Sequence, residues 1–405
     1  MAISLERRKG RKRKKRVKRL DAASLLKVFP VELLSAIGSQ TDVDKNVSRL
    51  RGSLILQLLL LNMLRGSDLS THLLAEFYNS DFFKTVSGKG DHQTAHSSIA
   101  SRLNTIKPEY FEQVFNWLYK KYAVLLEKSQ LGRRIKRFDS TMVSVSSALF
   151  DMGMVVGRKP KQAHRKHQLK FTLELHGRLP KSIKLFTEQK HLSEQTALRQ
   201  AIKSAELQAE DIIVFDSGLS DRQTFVGFDE EDIHFVSRLK SNYRAESIET
   251  HRQIQGRTSD GLSFVRDERV RLYATGNQLI EHDFRLIEVV VLDGKNKGKT
   301  LVFITNIWDL SAMQIARIYR KRWDIEVFFR FLKQNLSFTK LINRSQNGIQ
   351  VQMYAAMIAA ILLLVYQDRN QIKGHQVAKL RLLDELIVDF AERISRFHHT
   401  KRPDG

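Results

Sequence analysis

The texture of this chain predicts a mixed α/β sheet with helices, interrupted by a β-rich insertion and preceded by an all-helical N-terminal domain. Three observations carry that prediction. Residues from about Leu20 to Leu125 show helical periodicity with almost no strand signal. From Arg133 onward, short apolar runs alternate with helical stretches, as strands and crossovers of one sheet do. Between Asn242 and about Lys299 the helical signal disappears and only strand-like segments remain.

Taken in order, the helical part contains leucine-rich or amphipathic segments at Asn46 to Leu64, Leu69 to Asn79, Thr94 to Leu103 and Glu109 to Leu126, the last opened by Pro108. Strands follow at Ile135 to Val145, Leu169 to Leu175 and Ser182 to Phe186. A helix at Leu192 to Leu207 and an apolar strand at Asp211 to Phe215 come next, then a helix at Asp221 to Gly227 and a strand at Ile233 to Leu239. Inside the insertion, Leu262 to Tyr273 and His282 to Leu292 read as β, with Asp293-Gly294 as a turn. Thr300 to Thr305 then returns to the sheet, one helix is expected from about Ser311 to Leu336, and an amphipathic helix covers Leu380 to Phe397. The expected organisation is a basic arm (1–20), a helical DNA-binding domain (21–130), two halves of a core (131–241 and 300–370) around the insertion (242–299), and a helical tail (371–405).

Composition narrows the function. The 405 residues carry 68 Lys and Arg against 44 Asp and Glu, a net charge of +24. Eleven of the basic residues lie between Arg7 and Arg19 with no acid among them, and the remainder of the chain stays basic without them. Such an excess points to a polyanionic partner, nucleic acid being the commonest. The absence of cysteine removes disulfides and thiolate–zinc sites. The charged N-terminus gives no secretory signal. Met353 to Tyr366, the most apolar run, reads as too short to span a bilayer and is expected to be a buried core helix. A cytoplasmic protein on DNA, without a membrane partner, is the expectation.

The most informative pattern is Tyr319, Arg322, Glu326 and Lys333, spaced by two, three and six residues. On one helix, at roughly 100° per residue, all four share a narrow arc that also holds Arg330, while Ile325, Phe328 and Leu332 form an apolar back. One carboxylate among cations on an exposed ridge suits phosphodiester chemistry: an oxygen ligand for a divalent cation, flanked by phosphate-binding groups. Two further acids are placed suggestively. Asp139 lies inside the first long strand and Asp216 closes an apolar strand before the turn at Gly218. Charges inside or ending buried strands are costly unless paired or bound to metal. Convergence of Asp139, Asp216 and Glu326 would make a site for two divalent ions. A basic segment with Lys159, Lys161, His164, Arg165, Lys166 and His167 has no nearby carboxylate or cysteine and reads as a phosphate-contacting loop, not a metal site.

At these residues the chain resembles the DDE transposases of bacterial insertion sequences, most of all the insertion-sequence-four branch. The hallmark Tyr-x2-Arg-x3-Glu-x6-Lys is present at Tyr319, Arg322, Glu326 and Lys333, and the contexts Asp139-Ser140-Thr141 and Asp216-Ser217-Gly218 are similar too. The resemblance spans roughly residues 130 to 370. It implies a ribonuclease-H-like core in which Asp139, Asp216 and Glu326 are catalytic ligands of two Mg2+ ions, with Mn2+ able to substitute. It also implies that Tyr319, Arg322 and Lys333 hold phosphates; Arg330 stands beside them as a further candidate DNA contact. The implied activity is cut-and-paste transposition: binding of terminal inverted repeats on double-stranded DNA, cleavage of the element ends, and joining of the 3′-hydroxyls to target DNA by a homodimer in the synaptic complex. Trp308 and Trp323 are both expected to be packing residues. The rival readings are a hydrolytic nuclease of the same fold and a non-catalytic DNA-binding relative.

Overall fold

The structure, a computed structural model, describes residues 20–66, 69–123, 133–145, 152–156, 166–251, 261–274 and 276–399. The basic arm and most of the basic segment after the first strand (Lys159, Lys161, His164 and Arg165) lie outside the described residues. The chain divides into two compact units, one of residues 1–30 and 362–405, the other of 31–361.

In the smaller unit, α1 (Ala22–Leu26) packs on α13 (His375–His399). The pairing is tied by polar bonds: Ala22 N–H donates to Glu385 Oε2 at 2.9 Å, Tyr366 O–H donates to Glu385 Oε1 at 2.7 Å, and Asn370 Nδ2 donates to Leu20 O at 2.8 Å.

The larger unit opens with helices α2 (Val31–Thr41), α3 (Gly52–Arg65), α4 (Thr71–Asn79), α5 (Asp81–Ser87), α6 (His96–Thr105) and α7 (Pro108–Tyr122). Ser70 and Ser80 cap α4 and α5 through side-chain oxygens that accept from Leu73 N and Phe83 N. Arg102 on α6 is buried and donates to Leu50 O (2.9 Å) and Val43 O (2.7 Å), locking α6 against the turn before α3.

A ten-stranded sheet follows, among the described residues. Its strands are β1 (Ile135–Val145), β2 (Met154–Val156), β3 (Lys166–His176), β4 (Leu179–Phe186), β5 (Ile212–Val214), β6 (His234–Arg238), β7 (Ala245–Thr250), β8 (Leu262–Tyr273), β9 (Leu279–Val291) and β10 (Thr300–Thr305). The order is β2-β3-β1-β5-β6-β10-β9-β8-β7, with β4 also paired to β3. Strands β1, β5 and β6 run parallel, and the remaining pairs are antiparallel. The insertion is therefore not a separate body. Its three strands extend the sheet outward from β10, and β10 itself closes back on β6.

Alternation along each strand gives the sheet two apolar faces. Phe138, Ile213, Phe215 and Phe235 meet α8 (Glu194–Lys203) and α9 (Arg222–Glu230) on one side. Ile135, Ile212, Val214 and Val236 meet α10 (Ala312–Arg320) on the other.

Three expectations are corrected. The helix expected over Ser311 to Leu336 is two, α10 and α11 (Trp323–Asn335), parted by a turn at Lys321 and Arg322. There the bonds tighten to three-residue closures, Arg322 N to Tyr319 O (2.9 Å) and Ile325 N to Arg322 O (3.1 Å), while Lys321 and Arg322 keep right-handed helical dihedrals. The break therefore carries no proline or glycine signal. Second, Met353 to Tyr366 belongs to a longer helix, α12 (Gln346–Arg369), because polar residues at both ends continue it. By length and composition α12 could cross a membrane, yet 94% of its most apolar stretch is buried within the protein, as in a core helix. Third, Lys166 and His167 are not in a loop. They begin β3, and His167 is buried opposite Val145.

Candidate active site

The sheet aligns the first two acids. In the parallel pair β1–β5, Ile135, Lys136 and Arg137 lie opposite Ile212, Ile213 and Val214. Continued by two residues, that register sets Asp139 level with Asp216, on strands spaced about 4.8 Å apart. Both share the parity of Ile135 and Ile212, so both belong to the face covered by α10 and α11. Asp216 is held in the turn after β5, where its Oδ1 accepts from Gly218 N at 2.8 Å. Asp139 Oδ1 accepts from Ser140 N at 2.8 Å, and Ser140 Oγ bonds Thr172 Oγ1 on β3 at 2.8 Å.

Glu326 comes from α11, whose buried side (Ile325, Phe328, Phe329, Leu332) faces inward and packs on β1. Two contacts fix α11 to β1. Asp324 accepts from Arg137 Nη1 at 3.2 Å near its start, and Lys333 Nζ donates to Thr141 Oγ1 at 2.5 Å near its end. Arg322, at the break between the helices, bridges two of the acids. Its Nη1 donates to Asp139 Oδ2 at 3.1 Å and its Nη2 pairs with Glu326 Oε1. The guanidinium also lies over the Tyr319 ring, 5.9 Å from the centroid. Tyr319 packs on Phe303 of β10, with Arg238 and Asp216 near enough to act on its hydroxyl. Arg330 is exposed on the ridge.

The electrostatics follow from this packing. Burial pushes the Asp139 carboxyl up to about 7; Arg322 and the Ser140 N–H oppose that rise, and the charges of Asp216 and Glu194 add to it. Burial also raises Tyr319 and lowers Lys333. Asp139, Asp216 and Glu326 are not drawn into mutual contact. Among the described residues, the set of acids and imidazoles whose ligand atoms approach within 4.8 Å of one another is Glu210, Asp232 and His234, a surface group in which Arg133 already engages Glu210. Instead, Arg322 stands as the cation between Asp139 and Glu326, in the position a divalent ion would contest.

Neither tryptophan is a plain core residue. Trp323 is 53% exposed, because it lies two positions before Ile325 and so on the far side of α11. Trp308 is half-buried, with Arg269 stacked 5.0 Å from its ring centroid and His251 at its edge. Sequence pattern assigns no role to Arg137, Asp324, Thr141 or Arg238, although Thr141 stands in the Asp139-Ser140-Thr141 context. Only the strand register and helix packing bring them to this edge; Arg137 and Asp324 carry no spacing signal.

The chain is 31% identical over 180 residues to the Sinorhizobium fredii protein named "Putative transposase y4zB", matching 44% of this chain and 48%, about half, of that one. It is 26% identical over 292 residues to a Synechocystis protein named "Putative transposase for insertion sequence element IS4SA", covering 71% and 75% of the two. It is 30% identical over 165 residues to a Geobacillus stearothermophilus protein named "Probable transposase for insertion sequence element IS5377" (40% and 41%). A solved piggyBac transposase synaptic complex with hairpin DNA aligns over 95% of this chain and 83% of its own at a TM-score of 0.46 and 11% identity. Residues 131–362, more than half of the chain and the stretch containing all three acids, match the transposase DDE domain, and the chain belongs to that family.

Proposed function

We propose that this protein is a cut-and-paste DNA transposase of the insertion-sequence-four branch, with a ribonuclease-H-like core and Asp139, Asp216 and Glu326 as its catalytic acids. The observation that carries the reading is the β1–β5 register, which levels Asp139 with Asp216 on the face where α11 delivers Glu326. The strand order β4-β3-β1-β5-β6, with β1, β5 and β6 parallel, supports the fold assignment.

The donor set consists of hard carboxylate oxygens, which suits Mg2+ (or Mn2+). Bound there by Asp139, Asp216 and Glu326, two such ions would supply activation of the attacking oxygen and stabilisation of the leaving one. The chain's own groups do the rest. Arg322, freed from Asp139 and Glu326, grips a backbone phosphate with its planar fork. Lys333 adds a point charge from the far end of α11, Tyr319 a hydroxyl from the last turn of α10, and Arg330 a contact on the exposed ridge. The net charge of +24 draws DNA to the protein, and the N-terminal helices with the basic arm recognise the inverted repeats. Two protomers synapse the ends.

Labelled DNA carrying the element's ends, incubated with protein and Mg2+, tests the reading. Nicking followed by joined product is expected. Nicking without joining would convert the assignment to a hydrolytic nuclease of the same fold, and a mobility shift without cleavage would leave a DNA-binding relative.

A further inference from the structure

One more carboxylate stands at the edge of the sheet that holds the acids. Glu194 opens α8, capped by Ser193. Its Oε2 accepts from Lys170 Nζ at 3.0 Å, and its Oε1 is buried without a hydrogen-bond partner. Lys170, on β3, has a side chain only 3% exposed and donates a second bond to Leu192 O at 2.9 Å. A lysine buried to that degree is strongly destabilising unless paired, so the ion pair fixes where Glu194 stands.

The stem of Glu194 lies directly on Gly218. A Cβ at position 218 would collide with Glu194 Cγ, lie 3.1 Å from Glu194 Cβ and sit 2.8 Å from Asp216 Oδ1. That same Oδ1 accepts from Gly218 N. The Asp216 carboxylate, the Gly218 backbone and the Glu194 stem are thus one packed unit. An acid in the first turn of a helix is ordinarily explained by the helix dipole. The dipole requires neither a buried lysine partner nor a glycine two residues beyond a candidate catalytic acid.

We propose that Glu194, clamped by Lys170, is a positioning residue for Asp216: its stem braces the Asp216–Gly218 turn and sets the orientation in which Asp216 meets a divalent cation. The inference rests on the assignment of Asp216 to the catalytic site.

Its test is Mn2+ affinity, measured by titration calorimetry on the full protein bound to a pre-cut end of its own element. Glu194→Ala is expected to weaken Mn2+ about tenfold, the usual scale for groups that orient a ligand, with DNA affinity unchanged. Glu194→Gln keeps the stem and still accepts from Lys170, so it should retain most of the affinity. Gly218→Ala alone weakens Mn2+ by forcing the turn away from the stem. The double variant Glu194→Ala/Gly218→Ala loses less than the sum of the two single losses, because the collision with Glu194 Cγ is gone while the close approach to Asp216 Oδ1 remains. Wild-type affinity in Glu194→Ala, equal losses in the Gln and Ala variants, or additive losses in the double would each overturn the brace. If Glu194→Ala fails to fold, Lys170→Met/Glu194→Ala removes the unpaired buried charge and must show the same tenfold loss. Asp139→Asn is the control: if it binds Mn2+ normally, the site assignment fails, whatever Glu194 does.

Discussion

Two arginines meet carboxylates in this sheet in opposite ways. Arg285 on β9 and Asp267 on β8 are both fully buried and joined by two bonds of 2.8 Å, and the remaining Arg285 donor reaches Ile307 O and Leu310 O. Every charge there is matched and sealed. Arg322 divides itself between Asp139 and Glu326, its own side chain and that of Asp139 15% exposed and that of Glu326 31%. One cation serves two acids at an open edge, with Asp216 a strand away. The sealed cluster can only hold β8 and β9 in register. The open one is under-neutralised and accessible, which is the electrostatic condition for accepting a metal ion and a phosphate chain.

The largest expected effect separates the clusters by function. Asp139→Asn, Asp216→Asn or Glu326→Gln should each lower DNA cleavage by about a thousandfold or more, with end binding retained in a mobility-shift assay. Near-normal cleavage by any one of them would remove that residue from the site.

Stability should separate the clusters in the reverse sense. Asp267→Asn or Arg285→Met strands a buried charge and is expected to cost about 3–5 kcal/mol in denaturant unfolding. Arg322→Ala should cost no more than about 1 kcal/mol, because Asp139, already pushed up to about 7, answers the loss by taking a proton. Equal destabilisation of the two would mean that Arg322 is a structural group like Arg285.

A smaller effect sharpens the role of Arg322 on DNA. Its loss should weaken end binding and reduce the slope of log affinity against log salt by about 1, the signature of one lost phosphate contact. Arg322→Lys should keep the slope while lowering affinity, since the fork is gone but the charge remains.

The smallest prediction concerns acid. His176, bonded through Nδ1 to Tyr119 O–H at 2.9 Å, is pushed down to about 4 by burial and by the charges of Lys136 and Arg134. The folded state therefore resists protonation that the unfolded chain accepts from about pH 6.5. The contribution is complete above 6.5 and is lost as pH falls toward 4. Melting temperature should decline over that window, and His176→Gln should flatten the decline.

Much of the architecture could be read from residue patterns. The limits of β1 and β8 are those the alternation predicts, and the acids at 139, 216 and 326 were legible as candidates because they interrupt apolar strands or stand among cations. Long-range pairing was not legible. Nothing local reveals that β1 lies beside β5, or that β7, β8 and β9 continue the core sheet, because register depends on partners distant in the chain. The break at Lys321 was invisible for a different reason: its dihedrals stay helical and only the hydrogen bonds shorten by one residue. Glu194 escaped notice because an acid opening a helix is commonplace, and only Lys170 and Gly218 give it another meaning.

The closing of β10 onto β6 frees the rest of the insertion from the task of measuring distance. Since interstrand bonds dictate where the helix bearing Glu326 begins, the exposed link at Gly294–Lys297 could be lengthened, or host a fluorescent protein, without shifting the acids.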